Sequence, residues 1–181
     1  MAHDPHPSHD EPASERGAVS AGLLWVLLSL VIVTAITLVA IQAPPRVKLI
    51  GLFAVGYGLL TGWLIALAAG PTRFVPGRPG VAVTFVLITL GQCGLALESH
   101  RLHRAAEFRT FEKSPQSRLP QAERLRHLLH EATRFSVYQR HRLSALGQWP
   151  SPWPMLFWTG EVLLAGALGT WLACRLWSRG P

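Results

Sequence analysis

The stretch LLWVLLSLVIVTAITLVAI (Leu23–Ile41) decides the fold class, because all nineteen of its residues are apolar or small. It lies inside a run of 29 residues, 17–45, that carries no charge. A helix needs about 20 mostly apolar residues to cross the hydrocarbon core of a bilayer. The sequence therefore predicts a transmembrane helix over Ala21–Ile41.

Three further stretches repeat this pattern. Residues 49–72 and 79–97 carry no charge, and residues 143–174 carry one, Glu161. These stretches predict further transmembrane helices over Leu49–Gly70, Val81–Leu97 and Met155–Trp177. The third is the shortest, and its length also suits a tilted or re-entrant element. The predicted fold is an all-α integral membrane protein with four transmembrane helices and a cytoplasmic helical extension between helices three and four.

Composition excludes most soluble classes of protein. The chain has 181 residues, of which 49% are hydrophobic and 15% charged, and its mean hydropathy is +0.26. Few compact soluble domains combine so much apolar residue content with so little charge. Cys93 and Cys174 both lie in apolar stretches near opposite ends of predicted spans, which excludes a disulfide framework and a Cys-x-x-Cys site.

Polar residues divide the chain into four segments. Residues 1–20 form an acidic tail rich in His and Pro that we expect to be disordered, because it holds few apolar residues that folding could bury. The other segments are residues 21–97 with the first three transmembrane helices, residues 98–148 with a basic helical region, and residues 149–181 with a Trp-rich interface and the fourth transmembrane helix.

The basic helical region, residues 98–148, contains two predicted helices. Glu98–Glu112 continues the third transmembrane helix into water. Between Pro120 and Gly147 the leucines recur at a helical period, and arginines and histidines lie opposite them. This pattern predicts one basic amphipathic helix.

Lysine and arginine counts predict the orientation. The loop at 42–48 and the region 98–154 share one side of the membrane and carry 12 basic residues, whereas the other side carries 5. By the positive-inside rule, residues 98–148 are cytoplasmic and both termini lie outside, in the inner membrane of a bacterium. Anionic lipid headgroups are the expected partners of five arginines, namely Arg124, Arg126, Arg134, Arg140 and Arg142. A nucleic-acid partner is not expected.

Small residues recur every four positions in two of the predicted spans. They are Ala54, Gly58, Gly62 and Ala66 in the second and Ala165, Gly169 and Ala173 in the fourth. Such stripes let helix backbones approach closely inside a membrane. They predict helix packing, within the chain, in a homo-oligomer or against a protein partner.

Four polar residues have similar predicted depths in the four spans and define an intramembrane layer: Glu161, Gln92, Tyr57 and Thr37. A carboxyl group at this depth must be protonated, hydrogen-bonded or paired, since an isolated charge in hydrocarbon is costly. One interpretation is a proton or cation site. The favoured one is interhelical contact, or an ion pair of Glu161 with Arg140 or Arg142.

Two His-x-x-His pairs, His100 with His103 and His127 with His130, lie on successive predicted helices. Imidazoles three residues apart on a helix can share a divalent metal ion. No HExxH motif accompanies them, and the favoured interpretation is that His127 and His130 belong to a solvated basic face. No cofactor is expected, with a divalent metal as the open alternative.

Three functional hypotheses follow. The favoured one is a non-catalytic integral membrane protein, an accessory or scaffolding subunit of a membrane complex. The second is a small oligomeric transporter or channel subunit, for which Glu161 is the main support. The third is a metal-dependent membrane enzyme built on the two histidine pairs.

Overall fold

The fold is helical throughout the part of the chain that the computed structural model describes, which is residues 11–44, 51–72, 76–118, 120–144 and 147–179. The helices are α1 (Glu11–Gln42), α2 (Gly51–Thr72), α3 (Arg78–Lys113), α4 (Ala122–Ala132), α5 (Phe135–Leu143) and α6 (Trp153–Trp177), with a single 3₁₀ turn over Pro115–Arg118. No strand occurs in these ranges. The predicted all-α fold class is confirmed.

Four of these helices are long and apolar enough to cross a membrane. The candidate spans are Val19–Gln42, Gly51–Thr72, Arg78–Lys113 and Trp153–Trp177. Each contains or closely matches one of the four predicted transmembrane helices. Runs of uncharged residues alone were therefore sufficient to predict these four long apolar helices.

Helix α1 begins at Glu11, ten residues before the predicted start of the first span. It thus includes the second half of the segment 1–20, which we expected to be disordered, and the first half lies outside the described residues. Once a helix is nucleated, each further residue adds a backbone hydrogen bond at little cost. The stable apolar helix can therefore extend upstream past Gly17 and through Ala13–Arg16, and Pro12 lies in its first turn, where a missing N–H removes no intrahelical hydrogen bond.

Helix α3 is the longest of the described helices. It joins the predicted third span and its predicted continuation, Glu98–Glu112, into one element. Its 36 residues extend for about 54 Å, whereas the hydrocarbon core of a bilayer is about 30 Å thick. Its apolar first half contributes Ile88 and Leu95 to the core, and its second half, from Glu98 to Lys113, holds all but one of its charged residues.

The predicted single amphipathic helix between Pro120 and Gly147 is two helices, α4 and α5, separated at Thr133 and Arg134. Arg134 has extended backbone angles. The Thr133 hydroxyl donates to the carbonyl of Leu129 at 2.9 Å, and His100 on α3 donates to the carbonyl of Thr133 at 2.7 Å. The Thr133 carbonyl is therefore hydrogen-bonded to α3 and not within its own helix. Hydrophobic periodicity within residues 120–147 could not predict this contact between two helices.

The bundle packs α6 against α2 and α3, while α1 lies against α2 and α3. Its core combines Trp25, Val33, Tyr57, Ile65, Ile88 and Leu95. The Trp25 indole donates to the carbonyl of Ile65 at 3.4 Å and so joins α1 to α2. Leucines and valines on the outer face of α1 are exposed, as expected for a surface that meets lipid.

Candidate functional site

A buried ion pair joins the fourth long helix, α6, to the short helix α5. Arg142 on α5 places Nη2 2.9 Å from Oε2 and 3.1 Å from Oε1 of Glu161 on α6. The two side chains are 15% and 5% exposed. Of the two arginines considered for this acid, Arg142 makes the contact, and Arg140 is exposed. The guanidinium offsets the cost of burying the carboxylate, and in return the pair ties α5 to the bundle.

Gln139 extends this pairing by one turn of α5. Arg142 donates from Nη1 to the side-chain oxygen of Gln139 at 3.4 Å, a long hydrogen bond between residues three apart on the helix. Gln139 is 1% exposed. Its oxygen is occupied by Arg142, so its amide nitrogen is directed elsewhere, and that nitrogen has no partner among the described residues.

A cavity of about 30 Å³ lies beside the ion pair. It is lined by Phe53, Gln92, Leu95, Ala96, Ser99, Tyr138, Gln139, Arg142 and Trp158. Four of the lining side chains carry a buried polar atom without a hydrogen-bond partner in the described part of the chain: Gln92 Oε1, Ser99 Oγ, Gln139 Nε2 and Trp158 Nε1. We call the cavity lining together with Glu161 the polar junction, because α3, α5 and α6 meet there.

Aromatic rings hold α5 against α3 and α6 next to the polar junction. The His100 ring meets Phe135 edge-on at 5.3 Å and lies 5.4 Å from Tyr138. Phe135 in turn meets Trp158 edge-on at 5.2 Å. Burial raises the pKa of the Tyr138 phenol, and the nearby charge of Arg142 offsets part of that increase. The phenol therefore stays neutral at physiological pH.

The four residues of the predicted polar layer make two separate sets of contacts. Thr37 donates to the carbonyl of Val33, so the Tyr57 hydroxyl donates to Thr37 Oγ1, at 2.8 Å, and joins α1 to α2. Glu161 binds Arg142. Gln92 lines the cavity that Arg142 also lines, and it is 7% exposed.

The two predicted stripes of small residues face each other across the contact between α2 and α6. A Cβ atom at Gly58 would overlap the backbone of Ala165, and one at Gly62 would overlap the backbone of Gly169. Ala54 and Ala165 are 1% and 0% exposed. Ala66 and Ala173 are buried as well. We call this contact the glycine seam, since it leaves no room for a side chain at Gly58 or Gly62.

The four histidines considered for a metal site have other contacts. His100 donates from Nε2 to the Thr133 carbonyl, and the His103 ring lies 5.3 Å from the Tyr138 ring. His130 accepts at Nε2 from Arg104 at 2.9 Å, and His127 is exposed. Among the described residues, no three His, Cys, Asp or Glu side chains are placed to share a metal ion.

The arginines considered for lipid binding differ in exposure. Arg124, Arg126, Arg134 and Arg140 are exposed, whereas Arg142 is engaged by Glu161 inside the polar junction. Arg134 also pairs with Glu131 at 2.5 Å on the surface. Four of the five guanidinium groups are thus accessible to an anionic surface.

Sequence reasoning missed Ser99, Gln139 and Trp158 as members of the polar junction. Gln139 precedes Arg142 by one helical turn, a spacing that places both on one face of a helix. Trp158 belongs to the segment 149–181, in which we expected a Trp-rich interface with the membrane. In the structure it lines the cavity and meets Phe135 edge-on.

Comparisons with protein-family models, with curated proteins and with solved structures found no match to this chain.

Proposed function

We propose that this protein is a non-catalytic integral membrane protein, an accessory or scaffolding subunit of a membrane complex. The ion pair of Glu161 with Arg142 carries the proposal. Glu161 is the only acidic residue between 143 and 174, and a transport site would need that carboxylate free to exchange a proton or cation. Bound to Arg142, it instead fixes the helical region to the bundle.

The surface of α4 supports the same proposal. No residue of α4 is buried, although its leucines recur along one side. Leu128 is 56% exposed, and Arg124 and Arg126 are exposed beside it. A helix that is apolar on one side and basic on the other, held by its neighbours and not itself covered, suits contact with a protein partner or with the membrane surface.

Orientation is part of the proposal. The basic asymmetry of 12 to 5 supports residues 98–148 in the cytoplasm and both termini outside, in a bacterial inner membrane. A phosphatase that is active only outside the cytoplasm, fused after Pro181, is expected to be active. The same phosphatase inserted after Gln148 is expected to be inactive. The reverse pattern would contradict the orientation.

Site-specific photocrosslinking tests the scaffolding role in cells. A benzophenone side chain at position 128 is expected to capture one discrete protein in roughly stoichiometric yield. The matched control is position 163 on α6, because Leu163 is 51% exposed on an apolar surface, and there only lipid adducts are expected. Proteoliposome flux of an ion or solute that Glu161→Gln abolishes would overturn the proposal and favour the transporter hypothesis.

Anionic lipid is the proposed second contact of the helical region. Each basic residue near a negatively charged membrane surface contributes about 1 kcal/mol. The double variant Arg124→Gln/Arg126→Gln is expected to lose most of the thermal stabilisation that the full chain gains in anionic over neutral nanodiscs. Arg142→Gln would not test this contact, because Arg142 binds Glu161. Equal stability of the wild type in both lipids would contradict lipid binding.

A further inference from the structure

We infer that the polar junction holds one ordered water molecule, bound between α3, α5 and α6 beside the ion pair of Arg142 with Glu161. The cavity of about 30 Å³ exceeds the roughly 10–15 Å³ that a single water requires. It is too small for most organic ligands, since pockets for these have volumes of about 300 Å³ or more.

The unpartnered polar atoms of the lining favour water over an ion. Gln139 Nε2 and Trp158 Nε1 are donors only, Gln92 Oε1 is an acceptor only, and Ser99 Oγ can be either. A water molecule has two hydrogens and two lone pairs, so it can accept from the two donors and donate to the two oxygens. A metal cation would leave both N–H groups unpaired, and a halide would leave Gln92 Oε1 unpaired.

The cost of leaving these atoms unpaired makes the site energetically significant. Gln92 and Gln139 are 7% and 1% exposed, so bulk solvent does not reach most of either side chain. A buried polar group without a partner costs about 1–3 kcal/mol. One water bonded to four such groups removes most of that cost, which explains how a cavity with this lining is tolerated where three helices meet.

Hydroxyl-radical labelling by X-ray radiolysis of the purified full-length protein tests the site. A water held inside the protein is radiolysed in place, so it oxidises adjacent side chains even when a scavenger removes radicals from bulk solvent. As scavenger is added, we expect Trp153, which is 55% exposed on the same helix, to lose its oxidation while Trp158 retains it. Trp25, buried outside this cavity, is expected to stay unlabelled.

The variant Gln92→Met removes an acceptor at nearly constant volume and is expected to abolish the scavenger-resistant oxidation of Trp158. Gln148→Met, at an exposed position, is the matched control and should preserve it. If Gln92→Met does not fold, the wild-type comparison of Trp158 with Trp153 decides alone. Parallel loss of oxidation at Trp158 and Trp153 would overturn the inference, as would unchanged resistant oxidation in a folded Gln92→Met.

Discussion

The glycine seam and the polar junction both attach α6 to the rest of the protein, but they do so by opposite means. At the seam, Gly58 and Gly62 on α2 bring two backbones into direct contact. At the junction, Arg142 reaches α6 with a long charged side chain and leaves a cavity beside it.

The two contacts attach α6 by different means because the glycine seam lies between apolar helices, whereas the polar junction lies where the short helix α5 meets them. Inside a membrane no hydrophobic effect draws helices together, so close packing of small residues supplies the attraction. At the edge of the bundle a charge can be held, provided that its partner and its remaining hydrogen bonds are supplied.

Removing the basic partner at the polar junction is expected to have the largest effect. In Arg142→Met the buried Glu161 loses its counter-charge, and breaking a buried pair in this way costs about 3–5 kcal/mol of the free energy of unfolding. Denaturant titration of the protein in mixed micelles, followed by far-UV circular dichroism, measures this change.

The double variant Arg142→Met/Glu161→Leu is the control, because it leaves no unpaired charge and should recover most of the stability. If Arg142→Met alone changed stability by less than about 0.5 kcal/mol, a typical value for a surface substitution, the junction would not be the anchor of α5.

Adding a methyl group in the glycine seam is expected to have the second-largest effect on the free energy of unfolding. Gly58→Ala places a Cβ against the Ala165 backbone, which cannot move aside as a flexible side chain can. Overpacking of this kind costs about 1–3 kcal/mol, measured by the same titration. Gly56→Ala, on the same helix with open space around its Cβ position, should be neutral or stabilising by up to about 1 kcal/mol. Equal effects of the two substitutions would show that the seam is not closely packed.

The hydrogen bond between α1 and α2 should contribute less than either contact of α6. Tyr57→Phe removes the hydroxyl that donates to Thr37 and is expected to cost about 0.6 kcal/mol, the average for an interhelical hydrogen bond in a membrane. Thr37→Val and the double variant complete a double-mutant cycle. Strict additivity of the two single effects would mean that this hydrogen bond contributes nothing.

The smallest effect is expected at the surface pair of Arg134 with Glu131, which is 62% and 43% exposed. Exposed pairs of residues three or four apart contribute about 0.2–0.5 kcal/mol because water and salt screen them. Arg134→Gln should therefore change the free energy of unfolding within that range, and 1 M salt should abolish the difference. A cost as large as that of Arg142→Met would remove the distinction between buried and exposed charge on which the comparison depends.

Much of the bundle could be predicted from the sequence because its causes are local. The four long helices follow from runs of uncharged residues, and the stripes containing Gly58 and Ala165 can be recognised from spacing alone. A helix that crosses lipid must satisfy its own backbone hydrogen bonds, so its length and composition are sufficient evidence for it.

The polar junction could be predicted only in part. The single charge at Glu161 marked the residue, since a lone acid in an apolar run needs a partner. The sequence allowed Arg140 or Arg142 as that partner, and only the rotation of α5 about its axis placed Arg142 against the carboxylate.

The order of residues along the chain is enough to show which segments are apolar helices and which residues on them are small or charged. Tertiary structure alone decided that the amphipathic segment breaks at Thr133, that Arg142 and not Arg140 meets Glu161, and that Gln92 and Gln139 share one cavity. Each of these outcomes joins residues from different helices, separated by 19 to 47 positions in the chain. Periodicity within one helix specifies its faces, but contact between faces depends on the packing of the whole bundle.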